Sequence, residues 1–251
     1  MRNHIRIVSL CLLGAMLVLA PPVGAAGTAV TYQIDGQPFE GYYISPMAQA
    51  PLVLLIHDWD GLGDYEVKRA RMLADAGYAV FAADLFGAGV RPAAIEERRR
   101  LTGELYRDRE KMRRRMVAAL KAAEAQGARI DNAVAMGYCF GGAAVLELAR
   151  SGADLKGFVT FHGGLDTPEG QGYADTRGQV LVLHGTADEA VSMDAFAALA
   201  KEMESVGVVH EMITYSGAPH AFTVFGSDRY RQDADQKSWA RFLAFLAERL
   251  N

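Results

Sequence analysis

Five short runs of the chain are apolar at nearly every position: Leu52–His57, Tyr78–Ala83, Ala133–Met136, Phe158–Phe161 and Val180–Leu183. A strand with one wet face alternates, so runs this uniform are covered on both faces. Between and after them lie segments with helical periodicity: Glu66–Ala76, Ala93–Gln126, Gly141–Arg150, Asp194–Val206 and Ser238–Leu250. Gly77, Gly127, Gly152 and Gly207 stand where the first four of these stop, as helix ends favour. Ala93–Gln126 reads as one long helix or two joined ones. Val30–Ile34 and Gly41–Ile44 read as exposed strands around an Asp35-Gly36 turn, and His210–Tyr215 as the last strand. The alternation implies an α/β fold, a mostly parallel central sheet with helices on both faces. No repeat, low-complexity tract or linker divides residues 27–251, which read as a single domain. Ligands of such sheets bind outside the carboxyl ends of the strands. The residues just past each strand therefore carry the functional reading.

The first 26 residues stand apart. Arg2, His4 and Arg6 form a basic start, Ile7–Ala20 is apolar, and Pro21–Ala26 ends on small residues. This is the pattern of a secretory signal peptide, cut near Ala25 or Ala26. The apolar stretch is short for a membrane span, which needs roughly 17–25 residues. Export, to a bacterial periplasm, is the expected destination, with no lasting membrane association. Losing Arg2 and Arg6 takes the net charge from −4 to −6, and nothing suggests a nucleic-acid surface. Cleavage also removes Cys11 and leaves Cys139 as the only thiol. An internal disulfide is then impossible, and a redox role lacks both a Cys-x-x-Cys and a resolving partner.

Cys139 has a particular setting. Gly137-Tyr138-Cys139-Phe140-Gly141-Gly142 follows an apolar strand and opens a helix. Small residues two before and two after a nucleophile allow a strained strand-to-helix turn. A following helix points its positive end at a thiolate. Such a nucleophile needs a base, and the base an orienting acid. Asp188 follows the strand at Val180–Leu183, 49 residues after Cys139, and His220 follows the last strand, 32 residues later. Nucleophile, acid and base thus stand in the chain order known for this kind of turn. The other histidines fit less well. His4 goes with the signal, and His210 opens a strand at the far edge. His57, His162 and His184 end strands and either line the site or serve as structural residues. No metal-ligand spacing unites them, and no cofactor is expected. Two backbone N–H groups should hold an oxyanion: that of Phe140, and that of Trp59 in the loop after the first buried strand.

Ile56-His-Asp-Trp-Asp-Gly-Leu62, Asp84-Leu-Phe-Gly87, Gly137–Gly142, His184-Gly-Thr-Ala-Asp188 and Pro219-His-Ala-Phe222 together resemble the motifs of the dienelactone hydrolase family. They occur in the same order and span nearly all of the mature chain. The resemblance implies an α/β-hydrolase fold and a Cys139–His220–Asp188 triad. It also implies an oxyanion hole at Trp59 and Phe140, and hydrolysis of an ester or lactone through an acyl-cysteine. At two positions the chain departs from the pattern. Asp58 stands where the family has a Glu that holds the resting thiol. Val224 stands where the well-studied enzymes have an Arg for the substrate carboxylate.

Arg91, in the loop after Asp84-Leu-Phe, reads first as a solvated arginine and second as a substitute for that arginine. Phe86, Tyr138, Phe161 and Phe222 are expected as apolar walls or as plain core. The arginine-rich stretch 91–126, with acidic residues interspersed, reads as a solvated face. The partner is thus a small ester or lactone, and the protein a monomer or homodimer. A thioesterase or general carboxylesterase is the alternative chemistry, and a silent ligand-binding member of the fold the alternative class.

Overall fold

A computed structural model describes residues 26–250. The expected signal peptide lies outside these residues except for Ala26. Eight strands form one sheet: β1 (Thr28–Ile34), β2 (Gln37–Ile44), β3 (Pro51–Ile56), β4 (Ala79–Ala83), β5 (Arg129–Tyr138), β6 (Gly157–Phe161), β7 (Gln179–Gly185) and β8 (His210–Tyr215). Their spatial order is β1-β2-β4-β3-β5-β6-β7-β8. The β1–β2 and β2–β4 pairs are antiparallel and every other pair is parallel. Asp35 and Gly36 have φ of 50° and 77°, the left-handed pair a two-residue hairpin turn requires.

The helices are α1 (Asp64–Asp75), α2 (Ile95–Arg107), α3 (Arg109–Ala125), α4 (Phe140–Arg150), α5 (Met193–Ser205) and α6 (Gln232–Leu250). The side-chain period of 2 divides the buried strands between two cores. Leu52, Leu54 and Ile56 of β3 pack with residues of α2, α3, α4 and α5. Val53 and Leu55 pack with residues of α1 and α6. Both layers are apolar, which is why these strands read as unbroken hydrophobic runs.

Several element bounds differ from the sequence reading; β2, for one, starts at Gln37, four residues early. β5 starts at Arg129, four residues early, because its polar entry Arg129–Asn132 is only partly covered. α6 starts at Gln232, six residues early, through a polar first turn. The cap of α5 is Ser192, whose hydroxyl accepts from Ala195 N–H at 3.2 Å. The stretch 93–126 proves to be two helices. Asp108 separates them at φ −115° and ψ 80°, and its carboxylate accepts from Lys111 N–H.

Candidate active site

β5 delivers Cys139 to the carboxyl edge of the sheet, one residue past its end. There the residue holds φ 51° and ψ −114°, a conformation side chains rarely adopt. Its N–H donates to Phe161 O of β6 at 3.1 Å. The neighbouring glycines have steric reasons. A Cβ on Gly137 would lie 2.3 Å from Gly141 C and O, and one on Gly141 would lie 2.3 Å from Ile56 O. Gly142 is equally constrained, 2.3 Å from Thr160 Oγ1.

His220 and Asp188 arrive from neighbouring strand ends. Imidazole Nε2 of His220 lies 3.1 Å from Cys139 Sγ, and Nδ1 lies 2.9 Å from Asp188 Oδ2. Asp188 Oδ1 accepts from the N–H groups of Ala190 and Val191, both at 2.9 Å. Both carboxylate oxygens are thus fixed. Burial works against charge at Asp188, but His220 and those two N–H groups hold its carboxyl below the usual range. Burial likewise works against charge at His220, yet Asp188 and Cys139 together raise its pKa to about 10. The imidazole therefore keeps its proton at neutral pH.

Phe140 opens α4, so its N–H has no intrahelical acceptor. Trp59 lies on the loop after β3, whose flanking amides are tied down. Asp58 N–H donates to Glu66 Oε1 at 3.5 Å and Asp60 N–H to Asp58 Oδ1 at 3.0 Å. Arg98 lies over the Trp59 ring and pairs with Asp60. Trp59 and Phe140 both border a cleft of about 690 Å³ that also contains Cys139, His220 and Asp58.

Asp58 is buried and its carboxyl is engaged by Asp60. Burial, then Asp60 and Glu66, push its pKa up to about 10. Glu66, which caps α1 through Gly63 N–H at 2.8 Å, is raised by burial to about 7. Asp58, Asp60 and Glu66 lie within 4.8 Å of one another, the one such group among the described residues. The N–H groups of Asp58, Asp60 and Gly63 all donate into this cluster. The three strand-end histidines do not form a metal set. His57 is buried, its Nε2 accepting from Leu85 N–H at 3.0 Å and its Nδ1–H donating to Asp58 O at 2.6 Å. His184 donates to Val191 O at 3.1 Å and stacks on Phe196. His162 bonds Thr223 Oγ1 at 2.8 Å.

Three expectations about the cleft walls are overturned. Arg91 is exposed, donates to Val90 O, and borders a separate depression beside Asp60 and Glu66. The loop after β4 carries it away from Cys139. Tyr138, the last residue of β5, faces the α1–α6 layer with Val134 and Met136, as strand alternation demands. It is fully buried against Tyr65, Phe161 and His162. Phe222 is fully buried against His162 and Tyr215. Phe161 is core as well, and Phe86 packs beneath the cleft on His57 and Phe140.

The walls come instead from Tyr106, Arg109, Ala143, Arg150, Val191 and Arg229, among others. Tyr106 meets Phe140 edge-on at 5.5 Å and Arg109 lies over its ring. Arg109 and Arg150 are organised by Glu147, which is wholly buried on α4. Arg150 Nη2 and Arg113 Nη2 lie 2.8 and 2.5 Å from its oxygens, and Arg109 Nη1 3.7 Å away. One carboxylate faces three guanidinium groups, so this wall is cationic. The residues hide in a stretch that reads as a solvated helix face. The α2–α3 break at Asp108, directly before Arg109, was the available signal.

A family model described as the dienelactone hydrolase family matches residues 39–250. The chain belongs to the dienelactone hydrolase family. A dienelactone hydrolase-like promiscuous phosphotriesterase from metagenomic libraries superposes with a TM-score of 0.84 at 31% identity, over 91% of this chain and 100% of that one. A Bradyrhizobium protein, "Probable 2-oxo-3-(5-oxofuran-2-ylidene)propanoate lactonase", is 26% identical over 84% of this chain and 90% of its own. An acylaminoacyl peptidase of Pyrococcus horikoshii shares the fold at a TM-score of 0.71 and 15% identity, over 90% of this chain and 42% of that one.

Proposed function

We propose that this family member hydrolyses a carboxylic ester or lactone through nucleophilic attack by Cys139. The observation that carries the reading is the continuous set of contacts Cys139–His220–Asp188, at 3.1 and 2.9 Å. His220 holds the proton of Cys139, and the thiolate attacks the carbonyl carbon. The new oxyanion is met by the N–H groups of Phe140 and Trp59. His220 then passes its proton to the leaving alkoxide, giving an acyl-cysteine. In the second half it takes a proton from water, which attacks the acyl carbon and releases the acid and the thiolate.

The cationic wall of Arg109 and Arg150 favours an acyl or alcohol part that carries its own negative charge. The names of the relatives agree with lactone chemistry without fixing the substrate. Export by the amino-terminal segment belongs to the same proposal, and amino-terminal sequencing of the mature protein checks it. The chemical test is Cys139→Ala assayed on short aryl esters and lactones. Turnover should vanish while the circular dichroism spectrum is retained; unchanged turnover would exclude Cys139 as nucleophile.

A further inference from the structure

Against the His220 ring sits a second imidazole that the proposed chemistry does not use. His162 follows β6 directly and adopts φ 41°. Its N–H donates to Leu183 O of β7 at 2.9 Å, which turns its ring out of the sheet and under the His220 loop. The ring is 1% exposed. It meets His220 edge-to-face at 5.3 Å and Phe222 likewise at 5.3 Å, with Tyr138 on another side.

One nitrogen, Nε2, lies 2.8 Å from Thr223 Oγ1. Thr223 is three residues beyond His220 on the same loop, and Ala221 between them has φ 63°. The chain of contacts continues inward. Thr223 Oγ1 lies 2.7 Å from Tyr65 OH, which accepts from Arg69 Nε at 3.3 Å. Arg69 Nη2 donates to Thr223 O at 2.8 Å and is paired with buried Asp235. The loop carrying His220 is thereby held at two places, by Asp188 and by this network.

The other nitrogen of His162, Nδ1, is buried with no protein partner among the described residues. A phenylalanine would fill the same space without leaving a polar atom stranded. Keeping histidine here is a cost to the fold, and such a cost calls for a reason. Packing alone does not supply one. The bond to Thr223 does, because it joins the base's own loop to the rigid end of β6, where Phe161 also receives the N–H of Cys139.

We infer that His162 is a positioning residue: through Thr223 and ring contact it fixes the His220 imidazole at the distance and tilt that keep Nε2 on Cys139 Sγ. Its burial and the adjacent His220 keep its own pKa well below the ordinary range, so it remains an uncharged neighbour when His220 is a cation. The charged groups nearest this network are Asp188, His220, Arg69 and Asp235. Only the first two lie on the Cys139 side.

The inference rests on the Cys139–His220 pair proposed above. Its test therefore reads the pair both with and without ester turnover. His162→Phe keeps the ring and removes the bond to Thr223. His162→Gln restores a polar atom near the Nε2 position. Thr223→Val removes the partner and leaves the imidazole. For each variant, kcat and KM are measured on an aryl ester, and the iodoacetamide alkylation rate of Cys139 is followed across pH.

His162→Phe should lower kcat about 10- to 100-fold, the range expected when reacting groups move by up to 1 Å, with KM little changed. The midpoint of its alkylation curve should move to higher pH. Thr223→Val should shift the same midpoint in the same direction, and His162→Gln should recover most of both effects. An unmoved alkylation curve in both His162→Phe and Thr223→Val overturns the inference. So does equal impairment of His162→Phe and His162→Gln, which would mean packing alone. If His162→Phe does not fold, Thr223→Val decides by the same curve. If the wild-type protein alkylates rapidly but cleaves no ester, the ester reading fails and the curves still judge His162.

Discussion

Replacing Gly141 by alanine is the most direct probe of the turn that presents Cys139. The added Cβ would meet Ile56 O at 2.3 Å and His57 O at 2.5 Å. Both are backbone atoms at the end of β3, so neither can rotate away. Ordinary contact starts near 3.4 Å, so α4 and the β3 end must separate by about 1 Å. These are the two elements that carry the N–H groups of Phe140 and Trp59, and Cys139 lies between them. Overpacking of this kind costs roughly 1–3 kcal/mol, or more where backbone must move. For a domain of this size that lowers Tm by about 3–10 °C. The same 1 Å displacement should lower kcat on an aryl ester about 100-fold. Gly172→Ala is the control: the nearest atom to its Cβ is Glu202 Oε1 at 3.8 Å, and it should change neither quantity appreciably. Thermal melts and initial rates on the three proteins suffice. A Gly141→Ala variant with wild-type melting and rate would refute the close approach of α4 to β3.

Asp188→Asn should leave the fold intact and cut kcat by about 10³–10⁴, as loss of the orienting acid does in comparable triads; a drop under tenfold would remove Asp188 from the site. Arg109→Gln should raise KM about tenfold for an ester with a free carboxylate and leave a neutral ester unchanged, reflecting roughly 1.5–3 kcal/mol for a hydrogen bond to a charged group. Equal effects on both esters would speak against an anion-favouring wall. Asp58→Asn should stabilise the protein increasingly as pH rises. The folded carboxyl stays neutral until about pH 10, whereas in the unfolded chain it ionises near pH 4. The unfolded state thus holds fewer protons across that window, and wild-type stability falls with pH. The Tm gain of the variant should be larger at pH 9 than at pH 5, and parallel melting profiles would contradict the reading.

The sheet was legible because its physics is one-dimensional. Strands covered on both faces must be apolar throughout, and β3, β4, β6 and β7 announce themselves that way. The polar entry of β5 and the first turn of α6 escaped because exposed ends of elements obey no hydrophobic rule. Cys139, Asp188 and His220 were legible because each follows a strand, and strand ends converge in this topology. The cleft walls were not. Tyr138 read as an apolar wall or as core, and alternation along β5 turns it with Val134 and Met136 into the α1–α6 layer. Arg109 and Arg150 became visible only once Glu147 was seen buried among three guanidinium groups. A sequence shows charge, but not which charges a fold gathers around one carboxylate.

The departure at position 58 can now be weighed against the geometry. A carboxylate placed to hold a resting thiol would have to face Sγ. Asp58 instead accepts Asp60 N–H, and burial with its acidic neighbours Asp60 and Glu66 raises its pKa to about 10. The partner that Cys139 has is His220. In the proposed chemistry, control of the thiol thus falls to the imidazole, whose raised pKa suits it to take the thiol proton. A neutral Asp58 has a second consequence. It puts no negative charge beside the proposed nucleophile, and the cleft lining then sets Arg109, Arg150 and Arg229 against Asp166. The exchange of Glu for Asp and the cationic wall of α3 and α4 therefore act in the same direction. On the proposed chemistry, both lower the electrostatic cost of bringing a negatively charged ester up to the Cys139 thiolate.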